Sequence, residues 1–459
     1  MPAYSARDLA TWSGGTWRPS EPSDIIGVSN DTRTLQPGNL YVALRGPTHD
    51  GHDFVAQAFA RNAAAAVVTR AFADANPSLG PVLCVDDTLR ALGRIASGYR
   101  RSLRAEMIAV TGSVGKTTVK EMIGDVLGTR AHAARSRGNW NNEIGLPLSL
   151  LGMDAADHYG VFELGMNHPG ELAPLCDVLK PSWAVITNVG PVHIEFFDSV
   201  EAIAYEKSVV FQSLPQDGVA VASRDEPYFN VLRAAAPGKI ITTSLARESD
   251  YRAHVLPSDA ARFTVLEKAT GEREEFEVPL PGDHVIRDAL FAVAVGRGHG
   301  VPWDAIRTAL RKYVPLPMRW NRLALHGVEI IDDAYNANPM SMRAALEAFV
   351  HTPVRGRRWL VLGGMLELGA RSKQEHLALG GEIAKGTWAG LVAVGPLGAL
   401  IADGAETGDS EVGRIFRCSD PAEVARVLEQ HVAAGDAVLL KASRAERLER
   451  VLEAWRKDL

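Results

Sequence analysis

The sequence predicts an α/β protein of three domains, and three observations carry that prediction. Short apolar runs of β type alternate with segments of helical periodicity along the whole chain. A chain of 459 residues is too long for one core and suggests about three domains of ordinary size. The apolar run Met107-Ile108-Ala109-Val110-Thr111 enters the glycine turn Gly112-Ser113-Val114-Gly115-Lys116-Thr117-Thr118 and leaves on a helix pattern, Val119 to Leu127. That unit marks a central P-loop sheet of the parallel ATPase type. A small α/β domain over residues 1–100 precedes the central domain at 101–314, and a Rossmann-like α/β domain at 315–459 follows it.

In the N-terminal segment the strand candidates are Ile25-Ile26-Gly27-Val28, Leu40 to Leu44, Ala65-Val67-Val68 and Val82 to Val85, with a helix expected over Val55 to Ala66. Asn30-Asp31-Thr32-Arg33 and Arg45 to His52 place hydroxyl, guanidinium and carboxylate groups around a glycine-containing turn. They suit recognition of a polar ligand, and they equally suit ordinary turn chemistry. Leu89 to Leu103 reads as an amphipathic helix leading into the central domain.

The glycine turn is a phosphate cradle. Its two glycines let successive backbone N–H groups face one anion, the new helix adds the positive end of its dipole, Lys116 reaches the outer phosphates, and the Thr117 hydroxyl can hold Mg²⁺. Val110 stands where the longer Walker pattern has a glycine, so the loop is the shorter Gly112-x-x-Gly115-Lys116-Thr117. Gly138-Asn139-Trp140-Asn141-Asn142-Glu143-Ile144-Gly145-Leu146-Pro147 follows. Its amides offer donors and acceptors for a sugar or phosphate, or they cap a loop. The strand Tyr159 to Met166 carries Glu163 near its carboxyl end, the ligand side of a parallel sheet, where a carboxylate can take Mg²⁺. Trp183 to Val189 delivers Gly190-Pro191-Val192-His193 on the same side; His193 is a candidate for a second metal or an ordinary loop histidine. The helix Val200 to Leu214 carries Glu206 and Lys207, and nothing in its local pattern singles out Lys207.

Strands follow at Val219-Ala220-Val221 and Ile240 to Thr243, and a charged hairpin spans Phe263 to Val278. Pro279 to His284 opens an alanine-rich helix, Val285 to Gly296, and Pro315-Leu316-Pro317 ends the central pattern. Beyond it, Val328 to Asp333 is a strand ending on two carboxylates, followed by Ala334 to Pro339 and a helix from Met340. Strands at Arg358 to Gly364, Leu391 to Gly395 and Ala437 to Lys441, separated by helices, complete a second parallel sheet.

The formal charge of −6, without a lysine or arginine block, argues against a nucleic-acid partner. Cys84, Cys176 and Cys418 are far apart and lack metal-type spacing, which fits a reducing compartment and argues against zinc. The opening residues have no apolar core of signal-peptide length, and no stretch approaches a membrane span. The expectation is a cytoplasmic monomer.

Taken together, Thr111 to Thr118, Gly138 to Pro147, Glu163 to Glu171, Asn188 to His193 and Asp333-Ala334-Tyr335-Asn336-Ala337-Asn338-Pro339 resemble the Mur ligases of peptidoglycan synthesis. Asp31-Thr32-Arg33, Pro37-Gly38, Asp50-Gly51-His52 and Lys441-Ala442-Ser443-Arg444 extend the resemblance over nearly the whole chain. The Asp-Asn-Pro-Arg motif of the member that adds a diamino acid is absent, which favours the dipeptide-adding activity. The resemblance implies ATP and Mg²⁺ as cofactors, and UDP-N-acetylmuramoyl-tripeptide and D-alanyl-D-alanine as substrates, joined through an acyl phosphate. It implies catalytic roles for Lys116, Glu163, His193 and Lys207. Metal ligation falls to Thr117, Glu163, His193 and a carbamylated Lys207. Gly112, Ser113, Val114, Gly115, Lys116, Thr117, Thr118, Asp288, Arg319 and Asp333 are expected at the nucleotide, with Arg319 and Asp333 brought in by domain closure. Thr32, Arg33, Asp50 and Gly51 fall to the uridine diphosphate; Asn139, Asn141, Asn142, Tyr335, Asn336, Asn338, Ser443 and Arg444 are the remaining substrate-binding candidates.

Three positions, in two places, depart from the family pattern. Val285 and Asp288 stand where the pattern has asparagines facing the adenine, and Met340 replaces an acidic residue at a helix start. Two rival readings stand beside the first: another amide ligase of the superfamily, such as a folylpolyglutamate-type enzyme, and a nucleotide-binding module that has lost ligation.

Overall fold

In the computed structural model, which describes residues 2–407 and 410–457, three α/β domains are each built on a sheet of their own, with a short two-stranded ribbon beside the first. The central sheet has nine strands, in the order Arg273–Val278, Ala261–Glu267, Tyr251–Leu256, Lys239–Ser244, Val219–Ser223, Trp183–Ile186, Glu106–Thr111, Tyr159–Glu163 and Ala133–Arg135. From Ala133–Arg135 to Tyr251–Leu256 every pairing is parallel, and the last two strands run antiparallel. The hairpin expected over Phe263 to Val278 is thus two strands of a three-strand flange. Tyr251–Leu256 was not expected as a strand; it alternates buried Tyr251 and Ala253 with exposed Arg252 and His254, the pattern of a sheet with one wet face.

Burial alternates along the strand that enters the cradle. Ile108 and Val110 face one core with the helices Lys116–Gly128 and Asp283–Gly298, while Met107 and Ala109 face another with Gly145–Leu150, Leu172–Leu179 and Val200–Gln212. Both faces are therefore covered by helices, and all four of these side chains are fully buried. Fully burying a side chain the size of Met107, Ile108 or Val110 contributes about 1.5–3 kcal/mol. The second core continues into the N-terminal domain through the helix Thr88–Arg100: Tyr99 Oη donates to Met153 O at 2.8 Å and Arg100 Nε to Leu179 O at 2.8 Å. That helix starts on Asp87, whose carboxylate caps the N–H groups of Leu89 and Arg90.

The helix expected over Val55 to Ala66 is shorter. A 3₁₀ turn at Gly51–Phe54 leads into Val55–Ala60, and Asn62 takes a left-handed φ of 62° that turns the chain into the strand Ala65–Thr69. The C-terminal sheet is ordered Asn321–Leu325, Val328–Asp332, Ala437–Lys441, Arg358–Leu362, Gly390–Val394, Ile415–Cys418. It is parallel except for its edge, where Asn321–Leu325 and Val328–Asp332 form an antiparallel pair that the sequence reading had not separated.

Candidate active site

In the central sheet the strand Glu106–Thr111 is flanked on both sides by strands that come later in the chain, so the order reverses there and a crevice opens beyond its carboxyl end. A cavity of about 1110 Å³ lies in that crevice, walled by all four expected motifs of the central domain and by Arg319, Asp333, Tyr335, Asn336, Asn338 and Lys441 of the C-terminal domain.

The cradle needs both of its glycines. Gly112 has φ 151° and a β-carbon there would lie 1.9 Å from Thr187 Oγ1; Gly115 has φ 83° and a β-carbon would lie 2.5 Å from Asp288 Oδ1. The turn is stapled to the neighbouring strand end. Ser113 N donates to Asn188 O at 3.0 Å, Val114 N to Asn188 Oδ1 at 2.9 Å, and Thr187 Oγ1 to Val114 O at 2.6 Å. The helix Lys116–Gly128 then begins on Gly115 with no side-chain cap, leaving the positive end of its dipole directed at the cavity.

Around this anchor the charged groups meet. Thr117 Oγ1 donates to Glu163 Oε2 at 2.6 Å, Asn141 Nδ2 donates to Glu163 Oε1 at 2.8 Å, and Arg319 Nη2 donates to Thr117 Oγ1 at 2.9 Å. Arg319 lies over the Tyr335 ring with its guanidinium carbon 4.1 Å from the ring centre. Lys116 Nζ donates to Gly112 O at 2.8 Å; desolvation pushes its ammonium pKa down, Glu163 opposes that and Arg319 adds to it. Lys207 is buried on the helix Val200–Gln212. Burial first, and then Lys116, holds its pKa well below the ordinary lysine value.

His193 stands in left-handed backbone at φ 59°, and its Nδ1 lies 2.5 Å from Glu367 Oε2, a second bridge between the central and C-terminal domains. Asp333 Oδ2 pairs with Lys441 Nζ at 2.5 Å, and its Oδ1 accepts from Trp320 N at 3.2 Å. Burial pushes the His284 imidazole down to about 4, against the pull of Asp333. Burial likewise raises the Asp288 carboxyl well above the ordinary range.

The expected residues divide into those at the cavity and those away from it. Ser113 to Thr118, Asn139, Asn141, Asn142, Glu163, His193, Asp288, Arg319, Asp333, Tyr335, Asn336 and Asn338 all line it. Gly112 and Lys207 do not line it, although Gly112 shapes the turn and Lys207 lies close enough to Lys116 to depress its own pKa. Two of the asparagines spend their side chains on capping: Asn142 Oδ1 accepts from Gly145 N at 2.9 Å, and Asn338 Oδ1 accepts from Ser341 N at 2.9 Å.

Thr32, Arg33, Asp50 and Gly51 lie apart from the cavity, in loops that follow the parallel strands Val28–Ser29 and Leu40–Val42. There Asp31 pairs with Arg33, Thr32 Oγ1 donates to Gln57 Oε1 at 3.0 Å, and Asp50 lies 2.6 Å from His52 Nδ1. Ser443 and Arg444 are also outside the cavity. Ser443 Oγ accepts from Leu366 N at 2.9 Å, and Arg444 pairs with Glu449 at 2.8 Å.

The departures now have physical accounts. Val285 is 4% exposed, packed in the core at the wall of the cavity, where it presents an apolar surface. Met340 packs its sulfur against Gly190, where a β-carbon would lie 1.9 Å away, so a thioether closes the contact between the two domains. Sequence reasoning missed Glu367, Lys441 and Glu226 as site residues. Lys441 had a usable signal, a charge at the carboxyl end of a buried strand. Glu226, which accepts from Val189 N at 3.0 Å, and Glu367 had none.

The residues present fit a magnesium–nucleotide complex. Among the described residues no three His, Cys, Asp or Glu side chains converge as a ready-made set. An ion at Thr117 and Glu163 would therefore take its other ligands from phosphate oxygens and water, the usual habit of Mg²⁺.

Fold and site together define a P-loop nucleotide-binding protein whose C-terminal domain closes an arginine onto the phosphate cradle. The chain belongs to the Mur ligase family: it matches the Mur ligase family catalytic domain over residues 24–100, the Mur ligase middle domain over 110–296 and the Mur ligase glutamate ligase domain over 318–444. It is 36% identical to the UDP-N-acetylmuramoyl-tripeptide--D-alanyl-D-alanine ligase of Bacillus subtilis (strain 168) over 94% of this chain and 93% of that one. The ligase of the same name from Escherichia coli (strain K12) is also 36% identical, over 95% and 94% of the two chains. Among solved structures, MurF from Acinetobacter baumannii superposes with a TM-score of 0.87 at 29% identity, covering 100% of both chains. MurF ligase from Thermotoga maritima, in complex with ADP, gives 0.81 at 27% identity over 94% of this chain and 97% of that one.

Proposed function

We infer that the protein joins D-alanyl-D-alanine to UDP-N-acetylmuramoyl-tripeptide at the expense of ATP, releasing UDP-N-acetylmuramoyl-pentapeptide, ADP and phosphate, as a cytoplasmic monomer in peptidoglycan precursor synthesis. The near full-length relatives support the substrates and weigh against a folylpolyglutamate-type ligase. The observation that carries the chemistry is the chain Glu163–Thr117–Arg319, which brings a carboxylate, a hydroxyl and a guanidinium from two domains to the start of the cradle helix.

A terminal carboxylate oxygen of the tripeptide attacks the γ-phosphorus, the bond to the β–γ bridging oxygen breaks, and ADP leaves with those electrons. The amine nitrogen of the dipeptide then attacks the acyl carbon, the bond to the phosphate oxygen breaks, and the nitrogen loses a proton. Positioning and charge neutralisation dominate such transfers, and Lys116, Arg319 and the cradle N–H groups supply both. Mg²⁺, when bound, neutralises phosphate charge; Thr117 and Glu163 would hold one ion, and His193 and a carbamylated Lys207 would serve a second. The depressed pKa of Lys207 supports that last role, because only a neutral amine adds carbon dioxide. The nucleotide lies along Gly112 to Thr118, with Asp288 and Asp333 flanking it.

The loops with Thr32, Arg33, Asp50 and Gly51 take the uridine diphosphate. Asn139 on the central side and Tyr335 and Asn336 on the other line the cavity with side chains free of helix-capping bonds and take the peptide ends. The test is phosphate release from ATP with the tripeptide substrate, with and without D-alanyl-D-alanine, and mass detection of the product. Release that depends on the dipeptide and yields the pentapeptide is expected. ATP binding without release would point instead to a module that has lost ligation.

A further inference from the structure

The cradle helix carries a second lysine one turn beyond Lys116, and its side chain is not exposed at all. Lys120 Nζ donates to Ser136 O at 2.6 Å and to Gly138 O at 3.0 Å, and lies 2.7 Å from Glu121 Oε1. Three acceptors thus meet the three donors of one ammonium. The carbonyls belong to the segment between the strand Ala133–Arg135 and the helix Gly145–Leu150, which has little backbone pairing of its own: Ser136 N reaches Val161 O at 3.2 Å and Trp140 N closes a turn on Arg137 O at 2.9 Å. That segment is the asparagine loop. Its Ser136 Oγ accepts from Glu163 N at 3.1 Å, and its Asn141 holds both ends of the next turn, donating to Glu163 Oε1 at 2.8 Å and accepting from Gly165 N at 2.9 Å. Glu163 is therefore gripped at its backbone and its carboxylate by a loop that Lys120 fastens to the phosphate-binding helix.

We propose that Lys120 is a positioning residue that registers the asparagine loop against the cradle, so that Glu163 and Asn141 face the nucleotide's outer phosphates in one fixed geometry. The proposal deepens the ligase reading of the same site and rests on it for the step being positioned. A lysine suits the task because a buried ammonium can satisfy several carbonyls at once. A methionine of similar length would leave Ser136 O, Gly138 O and the Glu121 carboxylate without that donor.

The test uses the full chain with Lys120→Met and, separately, Ser136→Ala, which cuts only the bond to Glu163 N. Hydrogen exchange of residues 136–145 is expected to quicken by about tenfold in Lys120→Met, with the helix Lys116–Gly128 still protected. The Mg²⁺ concentration for half-maximal turnover should rise by about tenfold, with the KM for ATP within about threefold, the behaviour of a displaced outer-shell support. Ser136→Ala should move the Mg²⁺ requirement in the same direction while leaving loop exchange as in the parent. Unchanged exchange in Lys120→Met, or a loosened loop with an unchanged Mg²⁺ requirement, overturns the proposal. If Lys120→Met does not fold, Ser136→Ala decides alone, and an unmoved Mg²⁺ requirement is the overturning result. Should the parent protein show no ligation, the ligase reading fails by itself. Exchange and the Mg²⁺ dependence of ADP binding, measured by calorimetry, then still decide the role of Lys120.

Discussion

Replacing Asp288 by asparagine should stabilise the ligand-free protein, and by an amount that grows with pH. Asp288 is 8% exposed, and its Oδ1 is packed against Gly115, 2.5 Å from where a β-carbon would be. Burial is the main cause of its raised pKa, with Arg287 and Arg319 pulling the other way. The unfolded carboxyl titrates near 3.8, so above that pH the native state holds a proton that the unfolded state has lost. Folding then takes up a proton, and stability from this group is complete at acid pH and falls as pH rises toward the native value. Within that window the loss is about 1.4 kcal/mol for each pH unit. For a domain of the central one's size that is about 3–6 °C in Tm per unit. Asparagine has nearly the same shape and does not titrate, so packing is held constant while the proton term is removed. Scanning calorimetry of both proteins from pH 5 to pH 8 checks this: the Tm gap should open steadily in favour of Asp288→Asn until the native carboxyl ionises. A gap that stays constant across the range would mean that Asp288 is solvated or paired in solution, and the reasoning from burial would fail.

Gly115→Ala puts a side chain at φ 83° against the Asp288 carboxyl, so ADP affinity measured by calorimetry should fall by at least about tenfold, given about 1–2 kcal/mol of backbone strain before any clash; unchanged affinity would show that the turn relaxes freely. Arg319→Lys keeps the charge but loses the planar fork over Tyr335 and its bond to Thr117, and steady-state turnover at saturating ATP should drop about 10–100-fold; a kcat within about twofold of the parent would remove Arg319 from the phosphoryl-transfer step.

Much of the site was legible because strand direction is legible. An apolar run that leads to Glu163, His193 or Asp333 places that residue at or beyond the carboxyl edge of its sheet, and parallel topology puts all such edges of one sheet on one side. What each carboxylate touches was not legible. Glu163 meets Thr117 across 46 positions, Asp333 meets Lys441 across 108, and His193 meets Glu367 across 174. Two of those pairings are set by strand order within the central and C-terminal sheets, and that of His193 with Glu367 by how the two domains dock; no local periodicity encodes either. The same limit explains the asparagines: amide density marked a loop that lines the cavity, but whether an amide is free to meet a ligand or caps a helix depends on one backbone N–H a few residues on. Asn142 and Asn338 cap, while Asn141 grips Glu163. The flange strand Tyr251–Leu256 escaped because its exposed Arg252 and His254 break the apolar run that signals a strand buried on both faces.

The internal bonds of the cradle say how nucleotide binding can be favourable in so highly charged a crevice. Lys116 is turned back on the carbonyls of Gly112 and Ser113, at 2.8 and 3.4 Å, and Arg319 is held on Thr117 while Thr117 is held on Glu163. Each of these groups already has a partner, so a phosphate arriving at the helix start would exchange a neutral acceptor for an anionic one and strip little water from bare charges. The exchange also couples the domains. Arg319 belongs to the C-terminal domain and Lys116 to the central one, and both stand at the helix start on separate acceptors, so a phosphate that drew Lys116 off its carbonyls would also meet Arg319. Phosphate binding and the contact between the domains would then be coupled, and Tyr335→Ala, which frees Arg319, should weaken ADP binding measured by calorimetry.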